Sequence, residues 1–197
     1  MELERYCVVD VETTGFSPTA DRIVEIACAL VDGERIVGSW ATLVHPGMAI
    51  PPVVTAIHGI TDAMVAQAPS SEWALHQARR FCEGRLIAAH CARFDLSFVG
   101  PKVGTRGLCT MRLARALFPE APNHKNQTLR HYLGIDRVVG TEVAAHRALG
   151  DALVSAHVLL ACRRRFRACR PRDSWASFVR STAMVELIPT TPLRRAG

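Results

Sequence analysis

The sequence predicts an α/β fold: a mixed sheet of three antiparallel strands followed by parallel strands, flanked by helices. Three observations carry this. Tyr6-Cys-Val-Val-Asp-Val11 is a β-branched run with apolar residues on both faces, as in a central strand covered on both sides. Asp32-Gly33 separates two further runs of the same kind, and that dipeptide is a strong hairpin signal. Later in the chain, strand patterns alternate with helical ones, which gives parallel strands with helical cover.

Taken in order, Tyr6–Val11 is the first strand, Ile23–Val31 the second, and Arg35–Val44 the third, antiparallel to the second. His45-Pro-Gly47 and Pro51-Pro52 mark loop. Trp73–Glu83 reads as a helix closed by Gly84. Leu86-Ile-Ala-Ala89 is a fourth strand, and Phe94–Val99 is helical. Met111–Phe118 is a helix that stops at Pro119, and Thr128–Leu133 one that stops at Gly134. Asp151 to about Arg165 is a long amphipathic helix. Beyond residue 168 the pattern dissolves. The expected organisation is a domain over residues 1–167 and a basic, Arg- and Pro-containing tail or irregular wrap over 168–197.

The 197 residues, 49% hydrophobic and 21% charged, have the balance of a globular protein that folds without staples. The seven cysteines are odd in number, lack C-x-x-C spacing and sit partly in apolar runs, so buried free thiols are expected. The acidic start, Met-Glu-Leu-Glu-Arg, has too short an apolar stretch for a signal peptide, and Ala152–Cys162 contains Ser155 and His157. A cytoplasmic protein with no membrane span is expected. The net charge of +6 is uneven. Residues 161–197 hold nine arginines against Asp173 and Glu186, a net +7, which leaves −1 for residues 1–160. Such a segment suits a polyanion, an acidic partner or simple solubility. Arg163, Arg164, Arg165 and Arg167 are expected to leave the core at the far end of the last long helix, where they would meet such a polyanion.

Three segments carry chemistry. In Val9-Asp-Val-Glu-Thr-Thr-Gly15, Asp10 and Glu12 are two apart on a strand, so both carboxylates leave one face. Side by side they repel unless compensated, and oxygen-only ligands suit Mg²⁺ or Mn²⁺. Gly15 then allows a tight turn. In Leu86-Ile-Ala-Ala-His-Cys-Ala-Arg-Phe-Asp-Leu96, Asp95 opens a helix where a strand ends. There it is either a helix-dipole partner or a third acid reaching the first strand's end. In Ala145-His-Arg-Ala-Leu-Gly-Asp-Ala152, His146 and Asp151 would diverge on one continuous helix and converge only if the helix is interrupted between them. Gly150 is the expected break.

Together and in this order, the three segments resemble the motifs of the DnaQ-like, or DEDDh, 3′–5′ exonucleases, among them the exonuclease domain of the DNA polymerase III epsilon subunit. The likeness covers residues 6–165. It implies a ribonuclease H-like sheet and a two-metal phosphodiester hydrolase. Asp10, Glu12, Asp95 and Asp151 would hold two divalent cations, Mg²⁺ or Mn²⁺. His146 would take a proton from the attacking water. Ile57-His-Gly-Ile-Thr61 also looks like a family segment, and Thr13, Ile57, His58 and Phe94 would line the pocket for the 3′-terminal nucleotide. One departure stands out: Cys91 occupies the place where the family usually has Asn, a weak hydrogen-bonder for a strong one.

Three functions fit this reading. A DNA exonuclease of proofreading or repair type, releasing nucleoside 5′-monophosphates, is favoured by the likeness to epsilon. An exoribonuclease acting on short RNA or RNA 3′ ends would use the same site. A non-catalytic, polymerase-associated nucleic-acid-binding module is disfavoured by the full set of catalytic-type residues. The expected partners are single-stranded nucleic-acid 3′ ends, DNA before RNA, and a DNA polymerase.

Overall fold

The computed structural model describes residues 5–139 and 146–187. β1 (Arg5–Thr13), β2 (Ile23–Asp32) and β3 (Arg35–Leu43) form an antiparallel meander. Gly33, in the turn between β2 and β3, has φ 58°, a conformation that favours glycine and explains the Asp-Gly signal. β4 (Leu86–Ala89) pairs with β1 in parallel, and β5 (Arg106–Cys109) pairs with β4 in parallel. β6 (Met184–Glu186) then pairs antiparallel with β5, giving the order β3-β2-β1-β4-β5-β6. The mixed sheet expected from the sequence is present, with β5 and β6 added to it.

Residues of β1 alternate between two apolar layers, which is why both faces of that strand are apolar. Tyr6 and Val8 enter one layer with Leu113, Leu129, Val158, Leu159, Phe166 and Trp175. These come from α5 (Thr110–Leu117), α6 (Asn126–Tyr132), α8 (Ala148–Cys169) and α9 (Trp175–Thr182). Cys7 and Val9 enter the other with Ala74, Leu75, Leu96 and Val99, from α3 (Ser71–Phe81) and α4 (Ala92–Val103). Val24, Ile50, Val54, Ile60 and Val65 form a third, smaller cluster. It seats α1 (Pro52–His58) and α2 (Asp62–Val65). The short α7 (Asp136–Val139) ends the first described stretch.

Several expectations change. The Pro51-Pro52 stretch opens α1 instead of continuing a loop, with Pro52 as its first residue, a position where the missing N–H costs nothing. Gly150 does not break α8, which begins at Ala148; the non-helical residues between His146 and Asp151 are at the start of that segment, His146 and Arg147. The chain beyond residue 168 is not wholly irregular, because α9 buries Trp175 and Val179 and β6 extends the sheet. The indole N–H of Trp175 donates to the Tyr6 hydroxyl across 2.7 Å, tying α9 to β1. Nor are all seven cysteines free. Cys7 and Cys82 are joined as a disulfide with Cα atoms 5.3 Å apart, a pairing made by packing α3 on β1 and invisible in sequence spacing. Arg163 does not leave the core. It is buried, donates to the Gly33 carbonyl and lies over the Tyr6 ring. Among the described residues, no helix is long and apolar enough to cross a membrane.

Candidate active site

Strand alternation puts Asp10 and Glu12 on the face of β1 that α8 covers, at the end of the strand. Asp151 comes from the opening of α8, where its N–H donates to the Arg147 carbonyl at 3.0 Å. Asp10, Glu12 and Asp151 each offer a carboxylate oxygen, and the three lie within 4.8 Å of one another. Asp95 approaches from α4 and is 4% exposed. It is not part of that triplet but is the strongest charge acting on Asp10. His146 is exposed, has φ 57° and lies near Asp151, whose carboxyl it favours in the ionised form, in part through a backbone hydrogen bond. Its conformation is one that non-glycine residues seldom adopt and that recurs at functional sites.

The electrostatics of this corner are those of crowded acids. Burial first, then the carboxylates of Asp95, Asp151, Glu12 and Glu25, hold Asp10 well above the usual carboxylate range. Glu12 is pushed up to about 8 by burial and then by Asp151, Glu25 and Asp95, while Arg147 pulls it down. Asp95 is pushed to about 7, chiefly by burial, against backbone hydrogen bonds that include one from Val11. Burial also raises Asp151, against His146 and a hydrogen bond from the Gln127 amide at 2.5 Å.

Beside the acids lies a cavity of about 140 Å³ lined by Val11, Glu12, Thr13, Gly15, Phe16, Val54, Ile57, His58 and Phe94. It brings Thr13, Ile57, His58 and Phe94 together, from β1, α1 and α4. Ile57 is half exposed and Phe16 is 80% exposed, so the apolar wall continues out to solvent. Phe16, Phe94 and Phe98 form a row with ring centroids 6.2 and 5.1 Å apart. His58 is buried; its Nδ1 accepts from the Ile60 N–H at 3.0 Å, and its Nε2 makes no hydrogen bond among the described residues. Gly15 is needed for space more than for a turn: a Cβ there would stand 2.5 Å from the Asp21 carboxylate, which holds the loop by accepting from the Ser17 N–H. Cys91 is the N-cap of α4 and makes no side-chain cap bond.

A family model described as Exonuclease (RNase T) matches residues 7–159. The chain belongs to this exonuclease family. Among its relatives is a DNA polymerase III subunit epsilon-like protein of Rhodobacter capsulatus, 41% identical over 165 residues, or 79% of this chain and 23% of that protein. The DNA polymerase III subunit epsilon of Treponema pallidum is 34% identical over 162 residues, 76% of this chain and 72% of that one. The structure of exonuclease X in complex with 5′ overhanging duplex DNA superposes with a TM-score of 0.71 at 31% identity, covering 86% of this chain and 95% of the other. The chain thus spans less than a quarter of the Rhodobacter relative's length. The DnaQ-like resemblance and the ribonuclease H-like fold stand on these findings.

Residue patterns alone do not reveal some of the neighbours of these acids. Glu25 lies directly across from Glu12 on β2 and is buried. Its signal was available, since it is the one charge between apolar runs in Ile23-Val-Glu-Ile-Ala-Cys-Ala-Leu30, and buried charges are rare unless paired. Arg147 sat unnoticed between two singled-out positions. Gln127, which reaches Asp151 from α6, carries no sequence signal, because only tertiary packing brings α6 to α8.

Proposed function

We propose that the chain is a metal-dependent 3′–5′ exonuclease that releases nucleoside 5′-monophosphates from DNA 3′ ends, in a proofreading or repair role. The observation that carries this is the convergence of Asp10, Glu12 and Asp151 within 4.8 Å beside the cavity of Thr13, Ile57, His58 and Phe94. The donor set fits hard divalent cations. It is all oxygen, it is crowded, and its acids sit far above their ordinary values, as expected where negative charge lacks a counterion. Asp10, Glu12 and Asp151 would hold Mg²⁺ or Mn²⁺, with Asp95 completing the site for a second ion. When bound, such ions supply Lewis acidity toward the attacking water and the scissile phosphate.

The chain's own residues do the rest. His146, exposed and next to Asp151, accepts the proton of the attacking water at a ring nitrogen; an imidazole is suited to this near neutral pH. His58 and Thr13, which line the cavity, would meet the terminal sugar and limit attack to a free 3′ end. Phe94 and the exposed Phe16 offer rings to unpaired bases, and stacking of this kind tolerates any base. The nuclease unit, expected over residues 1–167, would run through Glu186 to include α9 and β6. Association with a DNA polymerase follows from the epsilon-type relatives and is part of the proposal.

The test is a side-by-side digestion of single-stranded DNA, duplex DNA with a mismatched 3′ end, and RNA of the same sequence. DNA with an unpaired 3′ end is expected to be degraded fastest. Preference for RNA would replace the DNA assignment with the exoribonuclease alternative, and no digestion of any substrate with Mg²⁺ or Mn²⁺ would leave only the non-catalytic module.

A further inference from the structure

Glu25 and Glu12 face each other directly across β1 and β2, a placement that destabilises a sheet unless the charges find partners. Glu25 finds them 122 and 123 residues away. Its Oε2 accepts from the Arg147 Nε at 3.0 Å and its Oε1 from the Arg147 Nη2 at 2.6 Å, a two-point guanidinium fork. The same Oε2 accepts from the Ala148 N–H at 2.9 Å. Ala148 is the first residue of α8, and Arg147, its N-cap, makes no side-chain cap bond of its own. A carboxylate from β2 therefore caps the helix that carries Asp151, filling one of the N–H positions a helix start leaves unsatisfied.

The clamp holds more than the helix. Arg147 directly follows His146, whose φ of 57° needs support from its surroundings. The Arg147 carbonyl also accepts from the Asp151 N–H at 3.0 Å. The carboxylate of Glu25 is almost wholly buried, whereas the Arg147 side chain is 37% exposed on its outer side. Buried, charge-assisted and bidentate, this pair is of the kind that fixes geometry, unlike a mobile surface bridge.

We propose that Glu25 is a positioning residue which, through Arg147 and the Ala148 amide, sets His146 and Asp151 against Asp10 and Glu12. The inference rests on the exonuclease reading of those residues. Glu25 touches neither the reacting phosphate nor the water. It registers the last motif on the first through the neighbouring strand. Removing such a supporting contact in other metal-dependent sites lowers activity or metal affinity by about 10–100-fold.

The experiment compares wild type with Glu25→Gln, Arg147→Lys and the double variant, in the full chain. Glu25→Gln keeps an acceptor for Ala148 but loses the ion pair, and Arg147→Lys keeps the charge but loses the fork. Each single variant is expected to lower kcat on single-stranded DNA by about 10–100-fold. KM is expected to stay within about threefold, because the 3′-end cavity is untouched. The double variant is expected to be no worse than the poorer single one, since partners in one interaction are non-additive. Hydrogen exchange provides a readout independent of turnover: in a further variant, Glu25→Ala, which removes the acceptor, the Ala148 and Asp151 amides lose protection while the β1–β2 amides keep theirs. Multiplying losses in the double variant, or unchanged exchange at the start of α8, would overturn the proposal. A loss of protection throughout would do the same, since it marks a merely structural role. An inactive wild type would instead defeat the exonuclease reading, and the exchange result would still decide whether Glu25 orders this turn.

Discussion

At the scale of single residues, His146 and the crowded acids carry distinct predictions. His146→Ala is expected to cut turnover by about 10²–10⁴-fold, the usual range for a general base. Mn²⁺ binding, followed by calorimetry, should persist, because every carboxylate remains. Near-normal turnover would reduce His146 to a structural residue. The acids also make stability depend on pH. Glu12 and Asp95 are raised from ordinary values of 4.5 and 3.8 to about 8 and about 7. In the cation-free protein, the folded state therefore holds these protons more tightly than the unfolded chain does. The stabilisation this gives is complete below the unfolded values and is lost as pH rises through the window up to about 8. Tm in EDTA should accordingly fall from pH 5 to pH 8, and Mg²⁺ should raise it more at pH 8 than at pH 5. Glu12→Gln should flatten the fall; a variant that melts with the wild-type pH dependence would show that Glu12 does not drive it. Cys91 offers a simpler test. As an N-cap without a side-chain bond it forgoes the usual cap stabilisation, so Cys91→Asn should stabilise the fold by about 1 kcal/mol in a denaturant titration.

Among elements, α8 is decisive. It supplies Asp151 at one end and the buried Leu159, Cys162 and Phe166 farther along. Leu159→Ala is expected to cost about 2–5 kcal/mol by leaving a cavity in the layer it shares with Val8 and Leu113. Truncation after Ala161 removes Phe166, Trp175, Val179 and β6, and should abolish a cooperative melt altogether. What the sequence made legible here follows from its periodicities. β1 to β4 were readable because each shows either apolar alternation or a continuous apolar run bounded by turn residues. The acids were readable because their spacing on β1 is fixed by the strand period of two. β5 and β6 were not, since Arg106-Gly-Leu-Cys109 and Met184-Val-Glu186 are too short to show a period and exist by pairing with neighbours. The role of Arg147 was hidden for a related reason. Helix propensity gave no warning that α8 starts three residues before Asp151, because Glu25, the group that caps it, comes from another strand.

Over the whole molecule, charge is arranged differently from the simple division into a neutral core and a basic tail. Arg163 is buried, Arg165 pairs with Glu120 at 3.2 Å, and Arg167 pairs with Glu34 at 2.6 Å. Arg167 lies 16 residues beyond Asp151 on α8, or about 24 Å along the helix axis. Replacing Arg164, Arg165 and Arg167 together by Gln is therefore expected to change the salt slope of single-stranded DNA binding by less than about 0.7, the value of one phosphate contact. A larger drop would mean that the strand displaces the two glutamates and runs along α8. Whether acids from β1, α4 and α8 form a cation-dependent site working inward from a 3′ end is tested more directly by the products of digestion. Single-stranded DNA labelled at its 5′ end is incubated with the protein and Mg²⁺, with and without EDTA, and the products are sized over time. A ladder that shortens one nucleotide at a time and stops in EDTA is expected. Immediate release of the labelled end, an early burst of mid-length fragments, or digestion that continues in EDTA would contradict it.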